Sequence, residues 1–321
     1  MSKKLKLYAS HDAFYADAAP RARFEKACAE LEVELTWLPQ NTPEAEARTE
    51  LGRSDIALGW PEPKWVLESR IAYFQCGSTG FEKYTGKGLE TKPHFVMCNA
   101  AGTMSIPVAE HGIAFMFAGA RHLAEHAVDQ TQKRFERRPP YREIAGATAL
   151  VCGLGNIGTE IASRCRGLGM EVIGVDIKTT HPLASEIFPI ERLGEAVAKA
   201  DHVFCVLPLT PQTTGVFNKT IFAAMRPGAC FYALARGAHY VAADVADALH
   251  GGRLAFAGLD VFTEEPLNPD SPLWAAPNCL LTPHCSGRGV REHERLADLL
   301  IDNLKKFKTG EPLRNTVMKT A

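Results

Sequence analysis

Three side chains of matched chemistry follow successive apolar runs in the second half of the chain. Arg236 comes after CFYALA and just before Gly237, Glu265 lies in GLDVFTEEP, and His284 lies in LLTPHCSG. Together they would supply what reversible hydride transfer at a carbonyl needs besides a redox cofactor: an acid/base active near neutral pH, a group that tunes it, and a cation for substrate charge. Protonated His284 would give its proton to a keto oxygen as hydride reaches the carbon, and would take it back in the reverse direction. Glu265 is expected to pair with the imidazole, fixing its orientation and favouring its charged form. Arg236 can fork onto a substrate carboxylate and polarise the neighbouring oxygen, which lysine would do less well.

A second constellation precedes these residues. In TALVCGLGNIG an apolar run leads directly into Gly153-x-Gly155-x-x-Gly158, and a helical pattern follows. The first glycine permits a tight turn, the second lets the backbone approach a pyrophosphate, and the third allows close packing of helix on strand. The helix N-terminus then offers N–H groups to the phosphates. Asp176 ends EVIGVD, 18 residues past Gly158, where an acid accepts hydrogen bonds from the adenosine ribose. Its carboxylate would repel a 2′-phosphate and favour NAD over NADP, with Lys178 nearby acting in the opposite sense.

The strings CGLGNIG, VLPLTPQTTG, MRPGACFYALARG, GLDVFTEEPLNPDSPLW and LTPH resemble, in order, blocks of the D-isomer-specific, NAD-dependent 2-hydroxyacid dehydrogenases. The resemblance covers nearly the whole chain and is tightest over 147–287. It implies that Arg236, Glu265 and His284 form the active site. It also implies that the cofactor lies along Gly153, Gly155, Asn156, Ile157, Gly158, Asp176, Leu207, Pro208, Thr213, Ala235, Arg236, Asp260, His284 and Gly287. FQCGSTGFEKY resembles the family's carboxylate-holding turn, with Ser78, Thr79 and Gly80 as an anion nest. Trp60, in ALGWPEP, stands where the family's substrate loop approaches the cleft, and a packing role competes with a specificity role. Arg236 and His284 would also touch substrate. The chain departs from the family pattern at Ala101 and Met104, in the crossover segment. Cys285 takes a usually apolar place, either as an inert buried thiol or as a reactive one. His239 would meet the cofactor or solvent. The resemblance further implies a homodimer built on the nucleotide domain, including the helix after Pro107.

These residues require strands to carry them and helices to cover the strands. Short β-rich runs alternate with helical patterns, as in α/β architecture. Runs at Lys4–Ala9, Glu32–Trp37, Asp55–Leu58, Ile71–Gln75 and His94–Cys98 suggest a small first domain. A long helix is expected from Pro107 to about Phe135. Six continuous apolar runs follow: Thr148–Cys152, Glu171–Val175, His202–Leu207, Ala229–Leu234, Ala255–Leu259 and Cys279–Leu281. Such runs suit a parallel sheet buried on both faces. The expected fold is a Rossmann-type doubly wound domain over 106–287 and a smaller, discontinuous flavodoxin-like domain over 1–105 and 288–321. The active site is expected in the cleft between them.

Composition narrows the alternatives. Lys plus Arg is 36 against 37 for Asp plus Glu, a net charge of −1, so no global field favours nucleic acid or an anionic membrane. The longest stretches without a charged residue (93–109, 202–218 and 271–287) all contain proline and polar groups, and none reads as a membrane span. The basic N-terminus lacks the apolar stretch of a secretory signal. Nine cysteines without a CxxC pair fit reduced thiols in the cytoplasm. His122, Glu125 and His126 match HxxEH literally, but no third ligand is identifiable and no metal is expected. The basic run Lys133–Arg138 reads as a solvated helix end. Two rival readings share the scaffold. One is a formate- or phosphite-type dehydrogenase, although formate enzymes carry Gln where this chain has Glu265. The other is an NAD(H)-sensing corepressor-like protein.

Overall fold

A computed structural model describes residues 4–10, 18–39 and 41–321. Part of the basic N-terminus lies outside the described residues. The chain first forms β1 (Leu5–Ser10), α1 (Ala18–Glu30), β2 (Val33–Trp37), α2 (Glu44–Arg53), β3 (Ile56–Gly59), α3 (Pro63–Glu68), β4 (Tyr73–Cys76) and β5 (Val96–Cys98). The helices α4 (Ser105–Arg121) and α5 (Leu123–Thr131) follow. Next come β6 (Thr148–Cys152), α6 (Asn156–Gly167), β7 (Glu171–Val175), β8 (Ile187–Phe188), α7 (Leu193–Val197), β9 (His202–Cys205) and α8 (Lys219–Ala224). The chain ends with β10 (Ala229–Ala233), α9 (Ala242–His250), β11 (Leu254–Leu259), β12 (Cys279–Leu281), α10 (Glu292–Thr309) and β13 (Thr316–Lys319).

Two compact units result, one of residues 1–103 with 289–321 and one of residues 104–288. In the first, the sheet order is β13-β5-β4-β3-β1-β2. All pairs are parallel except β13 with β5. This is the flavodoxin-like winding, with its switch point between β1 and β3. Helix α10 returns to this unit and buries Leu296, Ala297, Leu300 and Leu304 against Leu7, Ala9 and Phe24. Its polarity is matched to its dipole: Glu292 and Glu294 lie in the first turn, Lys306 and Lys308 in the last, and Gly310 closes it in the left-handed conformation.

In the second unit, seven parallel strands take the order β12-β11-β10-β9-β6-β7-β8. The winding reverses between β6 and β9, so ligand chemistry is expected beyond the carboxyl ends of these strands. The sheet's two faces pack into separate apolar clusters, one around Phe217, Phe222 and Phe231 and one around Phe115, Phe204 and Tyr232. Covering both faces is what lets β6, β9 and β10 be almost wholly apolar, with Thr148 and His202 the polar residues at the starts of β6 and β9.

The helix expected to run from Pro107 to about Phe135 is two helices. His122 takes the left-handed conformation (φ +54°) while its N–H still reaches Ala118 O, which ends α4, and α5 begins at the next residue. The HxxEH pattern therefore does not lie on one continuous helix. His122 Nε2 contacts Pro140 O at 3.0 Å, and His126 contacts the Tyr141 hydroxyl. Asp129 ends this arm, buried and gripped by Arg134 and Arg138, whose guanidinium groups hold its carboxyl well below the usual range.

Candidate active site

The glycine turn has little room for side chains where it packs. Gly153 adopts φ +97°, and a Cβ there would lie 2.7 Å from Val206 O. A Cβ on Gly158 would stand 1.8 Å from Gly153 O, so only glycine lets α6 sit this close to β6. At Gly155, by contrast, a Cβ would meet nothing within 4 Å. Gly155 and Asn156 are exposed and Ile157 partly so, at the N-terminus of a twelve-residue helix. Tight backbone behind, open space in front and unpaired helix N–H groups fit a pyrophosphate. Asp176 joins this turn directly. Its Oδ2 accepts from Leu154 N at 2.7 Å and its Oδ1 from Lys178 N at 2.9 Å. The carboxylate thus braces the glycine turn through Oδ2 and the chain just past β7 through Oδ1. Sequence reasoning missed His181, whose Nε2 lies 3.1 Å from Thr159 Oγ1 on the first turn of α6.

Beyond β9, Leu207 is buried and Pro208 exposed. The Thr213 hydroxyl is buried, donates to Pro208 O at 2.7 Å and accepts from Thr210 N at 2.8 Å. Its part is to shape the turn that carries Pro208.

The three chemical groups sit past the ends of β10, β11 and β12. Glu265 Oε2 lies 2.7 Å from His284 Nδ1, and Phe262 N donates to Glu265 Oε1 at 2.9 Å. Arg236 follows Ala235 and donates from Nη1 to that residue's carbonyl at 2.7 Å. The next residue, Gly237, is pressed against the Glu265 loop, because a Cβ there would fall 1.9 Å from the Phe262 carbonyl carbon. The guanidinium strand end and the Glu265 turn are thereby packed backbone to backbone. His239 reaches neither cofactor nor solvent. It is fully buried, with Nδ1 2.9 Å from Arg236 O and Nε2 3.3 Å from Pro208 O, and burial lowers its pKa.

His284 itself has φ +50°, an uncommon conformation for a residue other than glycine. The fully buried Asp260 explains how it is held. The Asp260 carboxylate accepts from Thr282 Oγ1 at 2.5 Å, Cys285 N at 3.0 Å and Ser286 N at 2.9 Å. Burial works to raise its pKa, but these donors outweigh it and keep the group below its ordinary value. His111 on α4 extends the chain of contacts, with Nε2 3.0 Å from Thr282 Oγ1. Asp260, read from sequence as a cofactor contact, clamps the 282–286 segment in this structure. Cys285 is partly buried, and burial and the Asp260 charge raise its pKa, which makes it a poor nucleophile. Gly287 packs by Met104, whose Sδ would lie 3.1 Å from an added Cβ.

In the first unit, the Ser78–Gly80 turn is braced from two strand ends. Trp60 Nε1 donates to Ser78 Oγ at 3.2 Å, and Asn99 Nδ2 donates to Thr79 O at 2.7 Å. The Ser78 hydroxyl is turned inward, donating to Gly80 O at 2.7 Å. The Thr79 and Gly80 N–H groups have no acceptor among the described residues, as an anion-holding turn requires.

The sequence model of the D-isomer specific 2-hydroxyacid dehydrogenase NAD binding domain matches residues 113–286. Hydroxypyruvate reductase of Blautia hydrogenotrophica is 32% identical over 294 residues, covering 85% of this chain and 88% of that protein. D-3-phosphoglycerate dehydrogenase of Archaeoglobus fulgidus is 31% identical over 71% of this chain, but this chain spans only 44% of its length. Among solved structures, a D-isomer specific 2-hydroxyacid dehydrogenase family protein of Aeromonas salmonicida superposes with a TM-score of 0.80 at 26% identity, over 98% of this chain and 99% of that one. The chain belongs to the D-isomer specific 2-hydroxyacid dehydrogenase family, and its second unit is that family's binding domain for a nicotinamide dinucleotide cofactor.

Proposed function

We propose that the chain is an NAD-dependent D-2-hydroxyacid dehydrogenase, acting as a reductase of small 2-ketoacids. The observation that carries this reading is the 2.7 Å contact between Glu265 Oε2 and His284 Nδ1. Because Phe262 N–H fixes the other Glu265 oxygen, the carboxylate orients the ring through Nδ1 and leaves Nε2 to exchange a proton with the substrate oxygen. The Arg236 guanidinium binds the substrate carboxylate and polarises the carbonyl. The bound nicotinamide supplies or accepts the hydride. The Ser78–Gly80 turn offers a second anion-holding element, and Trp60, through its bond to Ser78, couples side-chain selection to that turn. Asp176 favours NAD over NADP by charge.

Two further parts of the reading rest on surface and thiol chemistry. Leu123, Val128, Phe135 and Tyr141 are exposed apolar groups on the α5 arm, which supports a homodimer through this face. All nine cysteines are free thiols, which supports a reducing, cytoplasmic setting. Among the described residues no helix is long and apolar enough to cross a membrane.

The test is NADH oxidation against glyoxylate, hydroxypyruvate and larger 2-ketoacids, with NAD reduction by formate and phosphite as separate arms. Turnover of one or more ketoacids is expected. Tight NADH binding without turnover on any compound would overturn the reading in favour of a cofactor sensor.

A further inference from the structure

Behind the catalytic histidine lies a group of donor atoms that the proposed reaction does not use directly. His111 comes from α4, Asp260 follows β11 and Cys285 follows β12. His111 Nε2, an Asp260 carboxylate oxygen and Cys285 Sγ all lie within 4.8 Å of one another. Thr282 Oγ1 stands among them, 3.0 Å from His111 Nε2 and 2.5 Å from Asp260 Oδ1. We propose that His111, Asp260 and Cys285 form a binding site for a borderline-soft divalent cation of the Zn²⁺ class, and that its occupation inhibits the enzyme.

The donor set is one imidazole, one carboxylate and one thiol, the ligand types of tetrahedral zinc chemistry, with the Thr282 hydroxyl or water for the fourth place. Its charge is also matched. Asp260 is fully buried, and its one ion-pair neighbour among the described residues is His111, at 3.9 Å. A buried carboxylate without Lys or Arg beside it is held by hydrogen bonds alone, and a thiolate added to it needs two positive charges for neutrality. A divalent cation supplies both. On binding, the Cys285 Sγ–H proton is released to solvent, a sulfur–metal bond replaces it, and His111 presents its Nε2 lone pair with the ring hydrogen on Nδ1. No oxidant or reductant takes part. The three donors come from separate elements, and Cys285 lies outside helix and strand.

Inhibition follows from what Asp260 already does. The same carboxylate holds Cys285 N and Ser286 N and so sets the backbone next to His284. A cation drawing Cys285 Sγ toward His111 and competing for Asp260 would reset that segment. Occupation of the site is read spectroscopically and so independently of the reaction assigned above, whereas its inhibitory effect rests on that reading.

The experiment titrates chelator-stripped full-length protein with Co²⁺, then displaces it with Zn²⁺. Wild type should develop a thiolate-to-cobalt charge-transfer band that saturates at one metal per chain. Cys285→Ala and Cys285→Ser should lack this band, and His111→Gln should weaken Co²⁺ binding about tenfold or more. Each variant's fold is checked by its circular dichroism and NADH binding, and Cys285→Ala alone decides the matter if His111→Gln is unstable. Where turnover is measurable, Zn²⁺ should lower wild-type activity at concentrations that spare Cys285→Ala relative to its own metal-free rate. No charge-transfer band in wild type, or a band of the same intensity and affinity in Cys285→Ala, would overturn the proposal.

Discussion

Replacing Asp260 with Asn changes one atom and separates two roles for this residue. Asn can keep its oxygen where Oδ1 receives Thr282 Oγ1 and Cys285 N, but its NH₂ then confronts Ser286 N–H where Oδ2 had accepted it at 2.9 Å. Ser286 is buried, so its N–H loses its acceptor without gaining water, a penalty of about 1–3 kcal/mol. The two surviving bonds fall from charge-assisted to neutral, which costs roughly 1 kcal/mol each. A loss of about 3–5 kcal/mol follows, shared between folding stability and the placement of His284. The sign with pH agrees: the depressed carboxyl stabilises the fold fully above its unfolded value of 3.8 and loses that contribution as pH falls through its lower folded value. The assay is urea unfolding at neutral pH together with steady-state kinetics on the best ketoacid. A clamp predicts a lower unfolding midpoint and a fall in kcat, with the KM for NADH changed less. An unchanged midpoint with a raised KM for NADH would refute the clamp and restore Asp260 as a direct cofactor contact.

Three other perturbations have defined outcomes. Asp176→Ala should raise the NADPH-to-NADH ratio of kcat/KM about tenfold or more and weaken NADH as well, because Leu154 N–H loses its acceptor; an unchanged ratio counts against the ribose role. Gly237→Ala would put a Cβ 1.9 Å from the Phe262 carbonyl carbon, so it should destabilise the second unit by several kcal/mol, on the order of 3; wild-type stability would contradict that packing. Buried His202, 2.9 Å from the Tyr232 hydroxyl, has its pKa pressed by burial from 6.5 to about 4. Between those values the unfolded chain binds more protons, so stability rises with pH, and acidification from pH 7 to 4 should cost about 3 kcal/mol through this group. His202→Gln should flatten that dependence in denaturant titrations, and an identical slope would show that other groups carry it.

Much of the site was legible because parallel strands leave a plain record. Apolar runs such as TALVC and CFYAL must be buried on both faces, and ligand groups then fall just past their ends. Arg236, Glu265, His284 and the Gly153–Gly158 turn were found in this way. What was not legible depends on partners distant in sequence. Asp260 reads locally as an acid at a strand end, yet its partners are backbone groups 25 and 26 residues downstream. His239 looks like a polar loop residue but is clamped between the Arg236 and Pro208 carbonyls. The break at His122 carries no glycine or proline signal, because histidine takes a left-handed conformation there that glycine usually supplies. β13 is a short antiparallel edge strand with mixed exposure, so no apolar run announces it.

The central claim is that His284, oriented by Glu265, moves the proton while the cofactor moves the hydride. Its most direct test is kcat of His284→Ala on a ketoacid that wild type reduces, with the NADH dissociation constant measured alongside. A fall of about 10²–10⁴-fold in kcat with NADH binding retained is expected for a lost general acid. Near-normal turnover in a folded, NADH-binding His284→Ala protein would contradict the account.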